Sequence, residues 1–204
     1  LARPVIGTRE SLARLTPAVL ERHHEMLVRP GGMIAAVVGD ADPTRIASKL
    51  SRLPLSAPPQ LPFLPALKWE GAHLDVNREG ADQVHARLAF AAPAVGDRRV
   101  VDLLVLNHIL GDGAASRLFQ RLREQEGLTY DIWSGPVLRH LGGLLEVGWA
   151  CAPAAFPESL QLVREELGLL AGNLRADEVA AAKEGLLRGF EMDMESPGGR
   201  CSLD

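Results

Sequence analysis

Cysteine is scarce in this chain, with only Cys151 and Cys201 among 204 residues. The two lie far apart and form no CxxC, which excludes a zinc ribbon and a thioredoxin-type motif. Cys151 follows an apolar run and reads as a buried free thiol, while a disulfide between the pair stays open. Long apolar runs are missing too, since no stretch approaches the ~20 residues that a membrane-spanning helix needs. Positive charge is not in excess: 22 Lys and Arg stand against 26 Asp and Glu, for a net charge of −4. The basic residues are interspersed with acidic ones, so no basic stripe offers itself to nucleic acid. HExxH, HxxEH, GxSxG and GK[ST] do not occur. No signal peptide opens the chain, but Leu1 in place of an initiator Met is read as a cloning or processing boundary, so this says nothing about where the full protein lives.

What is present has an ordinary globular composition, 47% hydrophobic and 24% charged. Thr16 and Pro17 form a helix start, the Thr as cap and the Pro at the first helical position. That helix is expected to end near Val28, before Arg29, Pro30 and two glycines. Residues 33–38 are a continuous apolar run between glycines and predict a buried strand. Asp42 and Pro43 start a second helix that ends near Arg52. Five prolines in residues 53–67 break both helix and strand, so this segment reads as a semi-rigid linker and domain boundary.

Beyond it, residues 72–76 and 84–91 read as strands, with Gly80 and its neighbours available for the turn. Residues 97–110 predict a helix, Gly111-Asp112-Gly113 a break, and residues 116–126 another helix closed by Gly127. Residues 128–134 and 144–150 predict a second strand pair. Two amphipathic helices follow at 156–170 and 176–194, and Ser196-Pro197-Gly198-Gly199 is expected to stop the last. Paired strands and paired helices predict an α/β (α+β) two-layer sandwich, with a mainly antiparallel or mixed sheet and helices on one face.

Few residues offer chemistry. His23-His24-Glu25 looks like a metal site, but adjacent helical side chains point about 100° apart and cannot share an ion. His73, His85, His108 and His140 are isolated, so helix-surface or core histidines are the expected reading. Gly111 to Ala115 resembles a phosphate loop only superficially, because it joins two predicted helices and follows no strand; a helix–helix connection is the better reading, although a flexible loop at Gly111 and Gly113 could also touch a peptide. The stronger pair is Arg123 and Tyr130, at the end of a helix and the start of the next strand. Arg supplies a fixed fork of donors for carbonyls or carboxylates, and a Tyr hydroxyl can stabilise a developing oxyanion. Spacing alone favours a plainer reading, with Arg123 paired to a nearby Glu and Tyr130 half-buried as packing.

The segment SRLFQRLREQEGLTY, from Ser116 to Tyr130, is similar to the block in the second domain of pitrilysin/insulinase-family peptidases, which include bacterial processing-type proteases and the mitochondrial processing peptidase. There a glycine loop precedes SRLF and LRE-x-x-GL-x-Y. The segment from Arg3 to Thr8 resembles the family's GRPILGT, Arg29-Pro30 with the run to Asp42-Pro43 resembles YRPENMVLAVVGDVDP, and Glu195-Ser196-Pro197 resembles its ESP. These matches occur in order across most of the chain.

The resemblance implies two similar α/β domains of the metallopeptidase-repeat type around a cavity for an unfolded peptide. The first carries HxxEH and a distal Glu for zinc; the second carries Arg and Tyr. Arg123 would hold the substrate backbone and Tyr130 would assist at the tetrahedral intermediate, and with the resemblance included this reading is preferred over packing. Residues 1–52 are expected to close a preceding family domain and 68–204 to be a second domain cut short, a C-terminal or inactive part. The chain itself is expected to hold no metal. Zn would belong to the parent protein or a partner subunit, which would make the whole a zinc metalloendopeptidase. The partners implied are a peptide substrate and the zinc-bearing domain or subunit, with homo- and heterodimers both open. The alternative is a catalytically inactive scaffold of the same fold, like the core subunits of respiratory complexes. By resemblance to exported bacterial relatives, the periplasm is favoured over the cytoplasm.

Overall fold

The computed structural model describes residues 5–27, 35–52 and 69–202. The chain divides into two compact units, Leu1–Phe63 with Asp193–Asp204, and Leu64–Met192.

The described part of the first unit is helical. Helix α1 (Arg9–Ala13) opens on a capping box in which Thr8 and Ser11 satisfy each other's backbone N–H. Helix α2 (Pro17–Leu27) follows Thr16, whose hydroxyl accepts the Val19 N–H at 3.3 Å. Helix α3 (Pro43–Leu50) is capped by Asp42, whose carboxylate accepts from Thr44 and Arg45. The strand expected at 33–38 does not form over its described part. Residues 35–38 are irregular and mostly exposed, because a strand needs a neighbour to take its backbone groups and no described segment pairs with it. Residues 33 and 34, and the proline-rich segment 53–67, lie outside the described residues. Ser196 does not simply stop the preceding helix. Its hydroxyl accepts the Gly199 N–H at 2.9 Å and starts a further short helix, Pro197–Cys201.

The second unit is a three-stranded antiparallel sheet with helices on its core face. Strands β1 (Val84–Ala92), β2 (Thr129–Arg139) and β3 (Gly142–Cys151) lie in the order β1-β3-β2. The two-layer α/β arrangement predicted from paired strands and helices is therefore found. Residues 72–76, expected as a strand, are irregular and exposed, and β1 has no described partner on that side. β2 runs five residues further than expected, through Gly135 and Pro136 to Arg139, because β3 pairs along its whole length.

One face of β3 (Leu145, Val147, Trp149 and Cys151) is buried, together with Ile132 of β2. Against it pack α4 (Arg99–Leu110), the helix of residues 117–125, α5 (Phe156–Gly172) and α6 (Ala176–Glu195), through Leu110, Leu118, Leu122, Leu162, Val163 and Ala182. Each fully buried Leu or Val contributes roughly 1.5–3 kcal/mol. The polar atoms inside are paired: Trp149 Nε1 donates to Ser159 Oγ at 3.0 Å, and Ser159 Oγ donates to the Phe156 carbonyl at 2.9 Å. Cys151 is buried and Cys201 partly so, and neither is in a disulfide.

Candidate functional site

Three arginines fall within seven residues of one another around the helix that leads into β2, and the structure uses each differently. Arg117 is largely buried and forks onto Glu178, with Nε–Oε1 at 3.0 Å and Nη2–Oε2 at 2.6 Å, while Nη2 also donates to the Asn173 carbonyl at 2.5 Å. The Arg117 guanidinium holds the Glu178 carboxyl below its ordinary range, and Glu178 in turn raises Arg117. Glu178 also accepts the Arg175 N–H at 3.2 Å, so the same carboxylate closes the start of α6. Arg121 donates to Gln125 Oε1 at 3.3 Å and lies 3.3 Å from Glu126 Oε1.

Arg123 is different. Its guanidinium carbon lies 4.7 Å from the Phe119 ring centroid and 4.6 Å from the Tyr130 ring centroid. Glu124 approaches it only loosely, at 3.8 Å. Among the described residues the Arg123 donors make no hydrogen bond, and neither does the Tyr130 hydroxyl. Arg123 is a stacked cation with unspent donors, and Tyr130, the chain's single tyrosine, is 79% exposed. Of the plainer sequence reading, the Arg–Glu pair is present as the loose Arg123–Glu124 contact, while Tyr130 is exposed and not half-buried.

Local structure explains the stack. Residues Phe119–Gln125 wind as a π-helix, with Glu126 N–H reaching the Arg121 carbonyl five residues back at 3.1 Å. Phe119 and Arg123, about one turn apart, share a face. Gly127, at φ 64°, reverses the chain, and the Leu128 N–H bonds to the Leu122 carbonyl at 2.9 Å. β2 then begins with a bulge: Thr129 pairs with Cys151 and Asp131 with Ala150, which leaves Tyr130 as the extra residue. Thr129 before it and Ile132 after it both face the core, so the bulge turns Tyr130 outward toward Arg123.

The glycine loop sits beside this pair in sequence and is pinned to the same strand. Ser134 of β2 donates its N–H to the Gly111 carbonyl at 3.1 Å, and its hydroxyl donates to Asn107 Oδ1 at 2.7 Å. A Cβ on Gly111 would stand 2.6 Å from the Ser134 nitrogen, so only glycine allows this approach. Gly113 needs its glycine for φ 94°. Ser116 and Gln120 close the loop by donating to the Gly113 and Ala114 carbonyls.

The remaining candidates do not converge. His23 and His24 are successive exposed residues of α2. His73 approaches Asp75 at 2.9 Å and His108 approaches Asp112 at 3.2 Å, each as an isolated pair. Phe119 and Thr129 carry no sequence signal that marks them as functional; only the stack and the bulge reveal them.

The model of the peptidase M16 inactive domain matches residues 14–186. The chain belongs to that family. This M16 inactive domain is 32% identical over 197 residues to a protein of Mycobacterium leprae (strain TN) named an uncharacterized zinc protease, covering 93% of this chain and 44% of that one. Its fold matches the crystal structure of a peptidase M16 inactive domain from Pseudomonas fluorescens with TM-score 0.74 and 24% identity, covering 90% of this chain and 45% of that one. It also matches a chain of complex III2 from Candida albicans with TM-score 0.83 and 15% identity, covering 98% and 50%. The M16 inactive domain spans about half the length of the curated relatives it matches. The zinc in those relatives' names finds no donor set here: among the described residues no three His, Cys, Asp or Glu side chains group closely enough to hold a metal ion.

Proposed function

We propose that this M16 inactive domain is the substrate-binding, non-metal part of a zinc-dependent endopeptidase acting on unfolded peptides or small proteins. Zinc and the water-activating carboxylate come from another domain or subunit, which is this domain's partner. On the same reading, residues 1–52 close a preceding family domain, 53–67 link, and 68–204 belong to the domain that carries the site.

The observation that carries the proposal is the guanidinium of Arg123, which lies over the Phe119 and Tyr130 rings and, among the described residues, donates no hydrogen bond. Two rings packed against the guanidinium hold it in place, and its N–H groups point outward along the planar edge. That edge matches a backbone carbonyl or a carboxylate, and stacking removes much of the freedom that a free Arg side chain would lose on binding. Tyr130, whose ring centre lies 4.6 Å from that guanidinium, brings a hydroxyl nearby. A phenol there can donate to an oxygen that gains negative charge as a peptide carbonyl becomes tetrahedral, which favours the transition state over the bound substrate. Arg123 thus serves binding and Tyr130 serves the reaction. Gly111, bonded to β2 through Ser134, and Gly113 form the loop a peptide would pass.

The inactive-scaffold reading rests on likeness of fold alone. The contact of Arg123 with the exposed Tyr130 favours the substrate-binding reading over it.

The test is peptide binding by the full-length protein with its metal removed by a chelator, read as fluorescence anisotropy of a labelled unstructured peptide. Arg123→Ala is expected to weaken binding about tenfold, equivalent to about 1.4 kcal/mol, while Tyr130→Phe leaves it within about twofold. Equal affinity for the parent and Arg123→Ala would overturn the binding role.

A further inference from the structure

We infer that Thr129 is a positioning residue whose hydroxyl locks the β-bulge and so holds Tyr130 against Arg123. The inference rests on the reading of Tyr130 as the substrate-facing hydroxyl, but its geometry can be tested without it.

A bulge inserts one residue into a ladder and leaves backbone groups there without their usual partners. Here the insertion falls between Thr129 and Asp131, opposite Cys151 and Ala150. Thr129, 6% exposed as a residue, turns its hydroxyl back into this gap. Its Oγ1 stands 2.7 Å from the Asp131 carbonyl oxygen and 2.5 Å from the Ala150 carbonyl oxygen. One hydroxyl proton serves both acceptors, shared or in alternation. One acceptor lies on the strand just after Tyr130 and the other on β3 across the ladder, so the hydroxyl ties the two sides of the bulge together around Tyr130.

The core independently requires a bulge of some kind. Thr129 and Ile132 both face inward, and regular alternation cannot place residues three apart on one face. The core does not set how far Tyr130 swings out, because the extra residue has no ladder partner. That setting falls to the Thr129 hydroxyl. A 4.6 Å ring-to-guanidinium distance is sensitive to such a swing, since stacking weakens quickly beyond about 6 Å.

The experiment uses full-length protein with zinc, in the Thr129→Val, Thr129→Ala and Thr129→Ser forms, with selectively labelled arginine. The Phe119 and Tyr130 rings are expected to shift the Arg123 side-chain resonances upfield, and Tyr130→Leu measures the Tyr130 share. Thr129→Val and Thr129→Ala are expected to lose most of that share, and Thr129→Ser to keep it. In peptide cleavage, Thr129→Val is expected to lower kcat about 3- to 10-fold, the worth of one hydrogen bond, with KM little changed. The effect should vanish in a Tyr130→Phe background, because the two residues act in series. An Arg123 shift unchanged in Thr129→Val, or a Thr129→Val effect that adds in full to Tyr130→Phe, overturns the positioning role. If Tyr130→Phe alone leaves kcat unchanged, the catalytic reading of Tyr130 fails, and the Arg123 resonances still decide whether Thr129 holds the ring.

Discussion

The guanidinium of Arg123 lies 4.6 Å from the centre of the Tyr130 ring, although a helix end, a glycine reversal and the first residues of a strand separate the two in sequence. Among the described residues the Arg123 donors make no hydrogen bond, only the loose Glu124 contact at 3.8 Å, and Tyr130 is exposed; on the proposed function, the way the pair is held bears on binding and turnover.

Lysine cannot replace Arg123. A Lys ammonium keeps the charge but loses the planar fork and most of the stacking on Phe119 and Tyr130. Arg123→Lys in the full-length protein is expected to lower kcat/KM for an unstructured peptide at least about tenfold, about 1.4 kcal/mol. Steady-state kinetics check this, with the unfolding midpoint expected to move little because Arg123 is partly exposed.

Phe119 acts through Arg123. Its ring covers one face of the guanidinium at 4.7 Å. Phe119→Leu keeps an apolar side chain at the edge of the core but removes that face, and a stacking contact of this kind contributes about 0.5–1 kcal/mol. Peptide affinity is expected to fall about 2- to 5-fold, with Phe119→Tyr close to the parent in the same anisotropy titration.

The Arg117–Glu178 fork gives an acid-sensitive increment of stability. Arg117 holds the Glu178 carboxyl below its usual 4.5. A carboxylate lowered in the folded state stabilises fully above its unfolded value, and the increment is lost as pH falls through the lowered one. Urea midpoints of the parent and Glu178→Gln are therefore expected to differ most above pH 4.5 and to converge below it. Arg117→Ala at neutral pH is expected to cost about 1.5–3 kcal/mol, because it strips charged hydrogen bonds from a largely buried carboxylate.

Two glycines answer oppositely to alanine. Gly111→Ala drives a methyl to 2.6 Å from the Ser134 backbone nitrogen and is expected to destabilise by about 1–3 kcal/mol. Gly168 lies in α5, and an alanine methyl there would meet nothing within 4 Å, so Gly168→Ala is expected to stabilise by about 0.5–1 kcal/mol. Thermal unfolding of both variants compares them directly.

The site was legible in part. The helix, Gly127 and the following strand are written in apolar spacing and turn chemistry, so the meeting of Arg123 and Tyr130 could be expected. The bulge at Tyr130 could not, because it arises from the demand that Thr129 and Ile132 both enter the core, a tertiary condition. The π-winding of Phe119–Gln125 has no sequence mark either, and Phe119 reads as ordinary core without it. Helix caps at Thr16 and Asp42 follow local rules and are found, but Thr8 and Ser196 obey the same rule where no helix start was expected. Residues 35–38 and 72–76 show the opposite error. Their apolar patterns are those of strands, but a strand exists only with a neighbour, and no described segment supplies one.

The central claim is that this domain contributes two side chains to a zinc peptidase whose metal lies elsewhere. Its most direct test is cleavage of an unstructured peptide by the full-length protein and by its Arg123→Ala and Tyr130→Phe variants, with zinc content measured on the same samples. Both variants are expected to lose at least about tenfold in kcat/KM, about 1.4 kcal/mol each, with zinc content equal to the parent's. Cleavage by both variants at the parent's rate would contradict the account.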